Sequence, residues 1–201
     1  MNNKDLFQDK AQNWDKGNVQ TSTASVIASE IKNTIHLNKD MQVIDFGVGT
    51  GLLGFEIAKM VKQVHGVDIS TSMLEKLKAK NTKELSIKAY NQDIIKEPLT
   101  ETFDGLVSSM TLHHVEDLEL FFKTIYKNIC KNGFIAIADL KTEDGTFHSD
   151  NTGVFHFGFE EELLRNVLKN TGFTDVKFNV ISTIKKPQND FDVFLLTAKR
   201  D

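Results

Sequence analysis

Three glycines at alternate positions, Gly47, Gly49 and Gly51, follow a short apolar run and a carboxylate, Asp45. Glycine lets backbone pass close to a ligand and take a positive φ without a Cβ clash. A helix that starts after such a turn presents free N–H groups and a positive end. Asp68 comes 17 residues after Gly51, where the next apolar run ends. A carboxylate there can accept two hydrogen bonds from a ribose diol. Turn and carboxylate together read as a nucleoside site.

Two ligand classes use this arrangement. Gly49-Thr50-Gly51-Leu52-Leu53-Gly54 matches the dinucleotide pattern G-x-G-x-x-G. That pattern should begin where the strand ends, and here the apolar run ends at Phe46. Begun at Gly47, it puts Leu52 in the place of the third glycine. Asp45, beside the turn, suits a cationic ligand better than a pyrophosphate. S-adenosylmethionine carries an ammonium group and a sulfonium and no phosphate, so it is the expected cofactor.

Four of the six histidines, His113, His114, His148 and His156, lie in or beyond the segments expected to follow strands four and five. Histidine titrates near neutral pH and can serve as a general base. A histidine pair such as His113-His114 can equally hydrogen-bond backbone. Residues 141–158 interleave aromatics, histidines and glycines. They suit a substrate wall or lid, and equally a crossover loop that packs its phenylalanines on the core. Asp139, Asp144, His148, Asp150 and His156 are metal-ligand types without ligand spacing, so no metal is expected.

The elements that must position these residues follow from periodicity. Residues 1–36 read as a helical cap, with a helix over 22–35 that Thr21 or Ser22 could cap. Residues 41–201 read as the core of a single domain. Strands are expected over 43–46, 64–67, 86–90, 104–109 and 134–140, with helices over 52–61, 71–80, 118–129 and 159–171. Ser70 or Thr71 should cap the second of these helices and Gly172 should end the last. Strands over 176–184 and 191–198, joined by a short polar turn, should close the chain as an antiparallel hairpin. Alternating strand and helix signals a parallel α/β sheet with its ligands at the carboxyl ends of the strands.

The 201 residues amount to about one domain. A net charge of −4 argues against a nucleic-acid backbone as partner. One cysteine, Cys130, excludes an internal disulfide framework and a cysteine-rich zinc site; it reads as a buried structural thiol near a helix end. No apolar run approaches the roughly 20 residues of a membrane helix, and the first 16 residues hold no signal-peptide core, so the expected address is the cytoplasm.

The sequence resembles the class I S-adenosylmethionine-dependent methyltransferases, in particular the small-molecule type 11 group, over about residues 7–199. The resemblance rests on Val43-Ile44-Asp45-Phe46-Gly47-Val48-Gly49-Thr50-Gly51, His65-Gly66-Val67-Asp68-Ile69-Ser70, Asn91-Gln92-Asp93-Ile94, the run from Phe103 through Ser109-Met110-Thr111-Leu112-His113-His114-Val115, and Lys131-Asn132-Gly133-Phe134. It implies a Rossmann-like sheet of seven mostly parallel strands, helices on both faces and a C-terminal antiparallel hairpin. By resemblance, Gly47, Gly49 and Gly51 line the methionine part of the cofactor and Asp45 faces its ammonium group. Asp68 takes the ribose hydroxyls and Ile69 the adenine face. Asp93 takes the adenine amino group, with Ile94 against the ring. Ser109 and Met110 border the methyl group, and Trp14 closes over the cofactor. The acceptor is expected to be a small molecule, methylated on oxygen, nitrogen or sulfur. A non-catalytic cofactor-binding module acting through a partner and a nicotinamide-dependent dehydrogenase are the alternatives.

Overall fold

The computed structural model describes residues 5–201. Residues 1–4 of the expected cap lie outside the described residues. Seven strands form one sheet: β1 (Gln42–Phe46), β2 (Gln63–Asp68), β3 (Ile87–Asn91), β4 (Phe103–Ser109), β5 (Ile129–Leu140), β6 (Thr174–Lys185) and β7 (Asp190–Lys199). Their order is β3-β2-β1-β4-β5-β7-β6. The first five run parallel, and β7 pairs antiparallel with both β5 and β6. The chain works outward from β1 to β3, then returns to lay β4 on the other side of β1. Loops at that reversal diverge and leave a crevice at the carboxyl ends of the strands.

The central strands are apolar at consecutive positions because helices cover both faces of the sheet. Ile44 and Leu106 point into one core layer with Phe121, Phe122, Leu164 and Phe194. Their neighbours Val43 and Val107 point into the other, with Ile27, Ile31, Ile57 and Leu77. The first layer is covered by α5 (Leu118–Asn128) and α6 (Glu161–Thr171). The second is covered by α2 (Asn18–Thr34), α3 (Leu52–Ala58) and α4 (Thr71–Lys80). A four-residue helix, α1 (Gln8–Ala11), leads into them.

The caps follow the side chains. Ser70 Oγ accepts from Met73 N–H at 3.2 Å and opens α4. Gly172 ends α6 with φ +99°, in the left-handed region. Helix α2 departs from expectation by starting at Asn18, with Gly17 at its N-cap. Thr21 and Ser22 do not cap; their hydroxyls donate back to the carbonyls of Gly17 and Val19. Strand β5 begins five residues earlier than expected, because Ile129 pairs with Phe103 ahead of a bulge. Cys130 therefore lies on β5, half-buried, with Sγ 3.8 Å from Asp104 Oδ1. Among the described residues, no helix is long and apolar enough to cross a membrane.

Candidate active site

The turn after β1 folds back on the end of β2. The N–H groups of Gly47 and Val48 donate to the Val67 carbonyl at 2.9 and 3.2 Å. Gly49 N–H then donates to Asp68 Oδ2 at 2.7 Å, and Ser70 N–H donates to Asp68 Oδ1 at 2.8 Å. These bonds orient the carboxylate and leave acceptor capacity on both oxygens. Burial raises the Asp68 pKa, against the lowering effect of the two N–H donors. Gly49 has φ +53°, and a Cβ there would meet nothing nearer than 4.0 Å. Its missing side chain leaves bare backbone beside open space. Gly47 is bare for a different reason: a Cβ would lie 2.2 Å from Thr111 Cγ2. Thr111 follows β4, so the two loops of the crevice touch at Gly47.

Asp45 is buried among apolar neighbours, and its Oδ2 has no hydrogen-bond partner. Burial first, and the charge of Asp68 second, push its carboxyl well above the usual carboxylate range. Gly54 brings α3 against it, since a Cβ there would come within 2.7 Å of Oδ2. The third glycine of the literal dinucleotide match thus packs on Asp45 inside the fold. Ile69, next to Asp68, is 67% exposed, an unusual setting for a large apolar side chain. Asp93 opens a turn, accepting from Ile95 N–H at 3.0 Å and pairing with Lys96 at 2.8 Å. Ile94 is 1% exposed and belongs to the core around Ile44 and Val67.

The N-terminal segment lies across this crevice. Asp5 accepts from Ser70 Oγ at 3.0 Å and from Ser72 N–H and Oγ at 3.1 and 2.7 Å, at the start of α4. Asp15 accepts from the Thr50 hydroxyl in the glycine turn and pairs with Lys80 at 2.8 Å. Trp14, half-buried between these anchors, meets the Phe7 ring edge-on at 6.3 Å. Phe7 in turn lies 5.5 Å from the His114 ring.

At the end of β4, Met110 adopts φ +55°, an uncommon conformation for a side chain with a Cβ, and its N–H donates to the Ala138 carbonyl on β5. Ser109, half-buried, offers its carbonyl to Thr111 Oγ1 at 3.1 Å. His113 follows in a short turn and is buried. Its Nδ1 lies 2.8 Å from Asp139 Oδ1, while its Nε2 has no partner. Asp139, fully buried on β5, also accepts from the N–H groups of His113 and Leu140. His114 Nδ1 donates to the Gly153 carbonyl at 2.7 Å, and burial lowers its pKa. The His148 ring stands 4.9 Å from His113 and 6.2 Å from His114. Its Nε2 is buried without a partner, and burial together with the neighbouring histidines and lysines pulls its pKa down to about 4. His156 is not part of this trio: its Nε2 donates to the Val115 carbonyl at 2.9 Å and its ring lies against Phe159. Among the described residues, no group of three or more histidine, cysteine or acidic side chains could hold a metal ion.

A carboxylate at the second strand end, bare glycine backbone beside it and an orphaned buried carboxylate fit a nucleoside with a cationic tail. Residues 37–156 match the family of methyltransferase domains. The chain belongs to that family. An uncharacterized methyltransferase of Schizosaccharomyces pombe is 30% identical over 166 residues, which cover 72% of this chain and 57% of that protein. A malonyl-[acyl-carrier protein] O-methyltransferase of Bacillus anthracis is 24% identical over 173 residues, covering 83% of this chain and 63% of that one. This chain therefore spans less than two thirds of the length of these two relatives. The magnesium protoporphyrin IX methyltransferase of Synechocystis, solved with bound S-adenosylhomocysteine, superposes with a TM-score of 0.73 at 18% identity, over 98% of this chain and 97% of the other. The sheet and hairpin of this methyltransferase-family chain are the Rossmann-like class I fold.

Several contributors were not singled out from the sequence. Asp139 was read only as a weak metal-ligand type, yet a carboxylate inside the apolar run 134–140 is the signal that a buried partner must exist. Asp5, Asp15 and Thr111 act through contacts distant in sequence, for which the local pattern holds no signal.

Proposed function

We propose that this chain is an S-adenosylmethionine-dependent methyltransferase acting on an oxygen, nitrogen or sulfur atom of a small molecule in the cytoplasm. The observation that carries this reading is Asp68, held by Gly49 and Ser70 N–H groups beside the bare backbone of Gly49. In this reading Asp68 binds the ribose diol, Ile69 the adenine face, Asp93 the adenine amino group and Asp45 the ammonium group. Trp14 covers the nucleoside, and Ser109 and Met110 border the reacting centre. When bound, the cofactor supplies an electrophilic methyl group, already activated on sulfur. What remains for the chain is alignment, exclusion of water and, for a hydroxyl or thiol acceptor, removal of one proton.

His113 is the residue proposed to take that proton. Its Nδ1 is held by Asp139, which leaves the lone pair on Nε2, the ring nitrogen without a partner. The name of the B. anthracis relative specifies an oxygen acceptor, which agrees with a site that carries a base. A nicotinamide-dependent reading has less support, since Gly54 is filled by Asp45 and offers nothing to a pyrophosphate.

Calorimetric titration with S-adenosylhomocysteine, with NADH in parallel, tests the proposal. Saturable binding of the first alone is expected. Binding of NADH alone would transfer the site to hydride chemistry. Cofactor affinity without turnover of any acceptor would make the chain a binding module.

A further inference from the structure

The methyltransferase reading leaves the acceptor unspecified, and the side chains around His148 constrain its charge. Lys186 stands over the Phe147 ring at 3.8 Å, and Phe147 meets the His148 ring edge-on at 4.8 Å. Lys10 lies 5.6 Å from the Phe7 ring, which packs on His114. Both ammonium groups act on His148 as positive charges. Neither has an ion-pair partner among the described residues.

The carboxylates nearby hold backbone and hydroxyl groups, and Glu143 and Asp150 face Lys186 and Lys10 without forming an ion pair. Asp139 accepts from His113 and from two backbone N–H groups. Glu143 Oε2 accepts from the N–H groups of Gly145, Thr146 and Phe147. Asp144 and Asp150 bind Thr146 and Thr152 within their own turns. The corner therefore combines two cations that hold no ion pair, Lys186 donating only to the Phe147 carbonyl, with one buried, unpartnered imidazole nitrogen that can donate, on His148. A buried polar atom left without a partner is destabilising. A buried ring nitrogen able to donate, beside two ammonium groups that hold no ion pair, is completed by an anion that accepts hydrogen bonds.

We propose that the acceptor is an organic acid, whose carboxylate sits between Lys10, Lys186 and His148 while its nucleophilic atom faces the crevice at the end of β4. This rests on the methyltransferase reading and extends it. With its proton on Nε2, His148 donates to a carboxylate oxygen, and the lysines supply the countercharge. His148 and the lysines select the acceptor and His113 remains the base. A substrate ammonium group would meet the like charges of the two lysines.

The test uses matched pairs that share a nucleophile and differ in side-chain charge: 3,4-dihydroxyphenylacetate with dopamine, 4-hydroxyphenylacetate with tyramine, and 3-mercaptopropionate with cysteamine. Each is titrated into the full chain with and without S-adenosylhomocysteine. The acid should bind roughly tenfold or more tightly than its amine in at least one pair, an amount typical of one charge-assisted hydrogen bond. Lys10→Gln with Lys186→Gln should remove that preference without moving S-adenosylhomocysteine affinity, and Lys186→Arg should keep it. Equal binding, preference for the amine, or no binding of any acid overturns the proposal. Failure of S-adenosylhomocysteine to bind would instead count against the methyltransferase reading, and the titrations without it would still decide the preference for acids.

Discussion

Two carboxylates in the crevice carry opposite instructions. Asp68 is oriented by backbone donors and keeps acceptor capacity for a ligand, so Asp68→Ala should weaken S-adenosylhomocysteine binding by about 1.5–3 kcal/mol. Asp68→Asn, which keeps the shape, should retain the fold and lose most of the same affinity. Calorimetry on both variants checks this, and unchanged affinity removes Asp68 from the site. Asp45 is a liability in the free protein, being buried with a raised pKa and an orphaned oxygen. A raised carboxyl pKa contributes stability below the unfolded value of 3.8 that is lost as pH rises through the folded value. Asp45→Asn should therefore raise the thermal midpoint at neutral pH, with an advantage that shrinks on acidification. It should also weaken cofactor binding. A variant that is destabilised at neutral pH and gains from acid would contradict this.

At the scale of elements, the loop between β5 and α6 is tied to the turn after β4. The N–H groups of Phe155 and His156 both reach the His113 carbonyl, at 3.0 and 3.3 Å. Gly153 receives His114 and Val115 receives His156. His148 is the titrating group inside this packing, with His113, His114, Lys10 and Lys186 facing it. Its folded pKa of about 4 lies below the ordinary imidazole value of 6.5, so the stability it contributes is present above 6.5 and lost as pH falls toward 4. Hydrogen exchange across residues 141–158, corrected for intrinsic rates, should speed up in that window. His148→Gln should flatten the response. An unchanged wild-type profile from pH 6.5 to 4 would mean that His148 does not hold the loop. Sequence periodicity left this segment open between a wall and a crossover loop. The reason is physical: its order comes from backbone bonds to His113 and from the side-chain bonds His114–Gly153 and His156–Val115, which span some forty residues. Strand β1, the glycine turn and the cap of α4 were legible because each is fixed by residues within a few positions.

The whole molecule depends on the two aromatic-rich layers that hold the sheet. Phe194, on β7, is fully buried and packs on Phe178 at 4.3 Å and Phe159 at 6.3 Å. Phe194→Ala should cost about 3–5 kcal/mol in denaturant unfolding, because it leaves a cavity that the stiff sheet cannot close. Phe194 lies on β7, between β5 and β6 and away from β1 and β2, so S-adenosylhomocysteine affinity of the folded fraction should change little. A loss near 1 kcal/mol would show that the layer collapses around the gap. The general architecture was readable because strands buried on both faces leave unbroken apolar runs.

The contact between Gly47 and Thr111 ties the two halves of the crevice together. A turn that faces one ligand and a loop that faces the other share a boundary with no slack, since not even a methyl group fits between them. Displacing one moves the other, and only Leu112 separates Thr111 from the histidine proposed as base. Occupancy of the nucleoside side must then alter the free energy of occupying the acceptor side. Thermodynamic linkage makes that influence equal in the reverse direction. The coupling between the two ligands is therefore written into one missing side chain, and widening that boundary, as Thr111→Ser would, should make their binding more nearly independent.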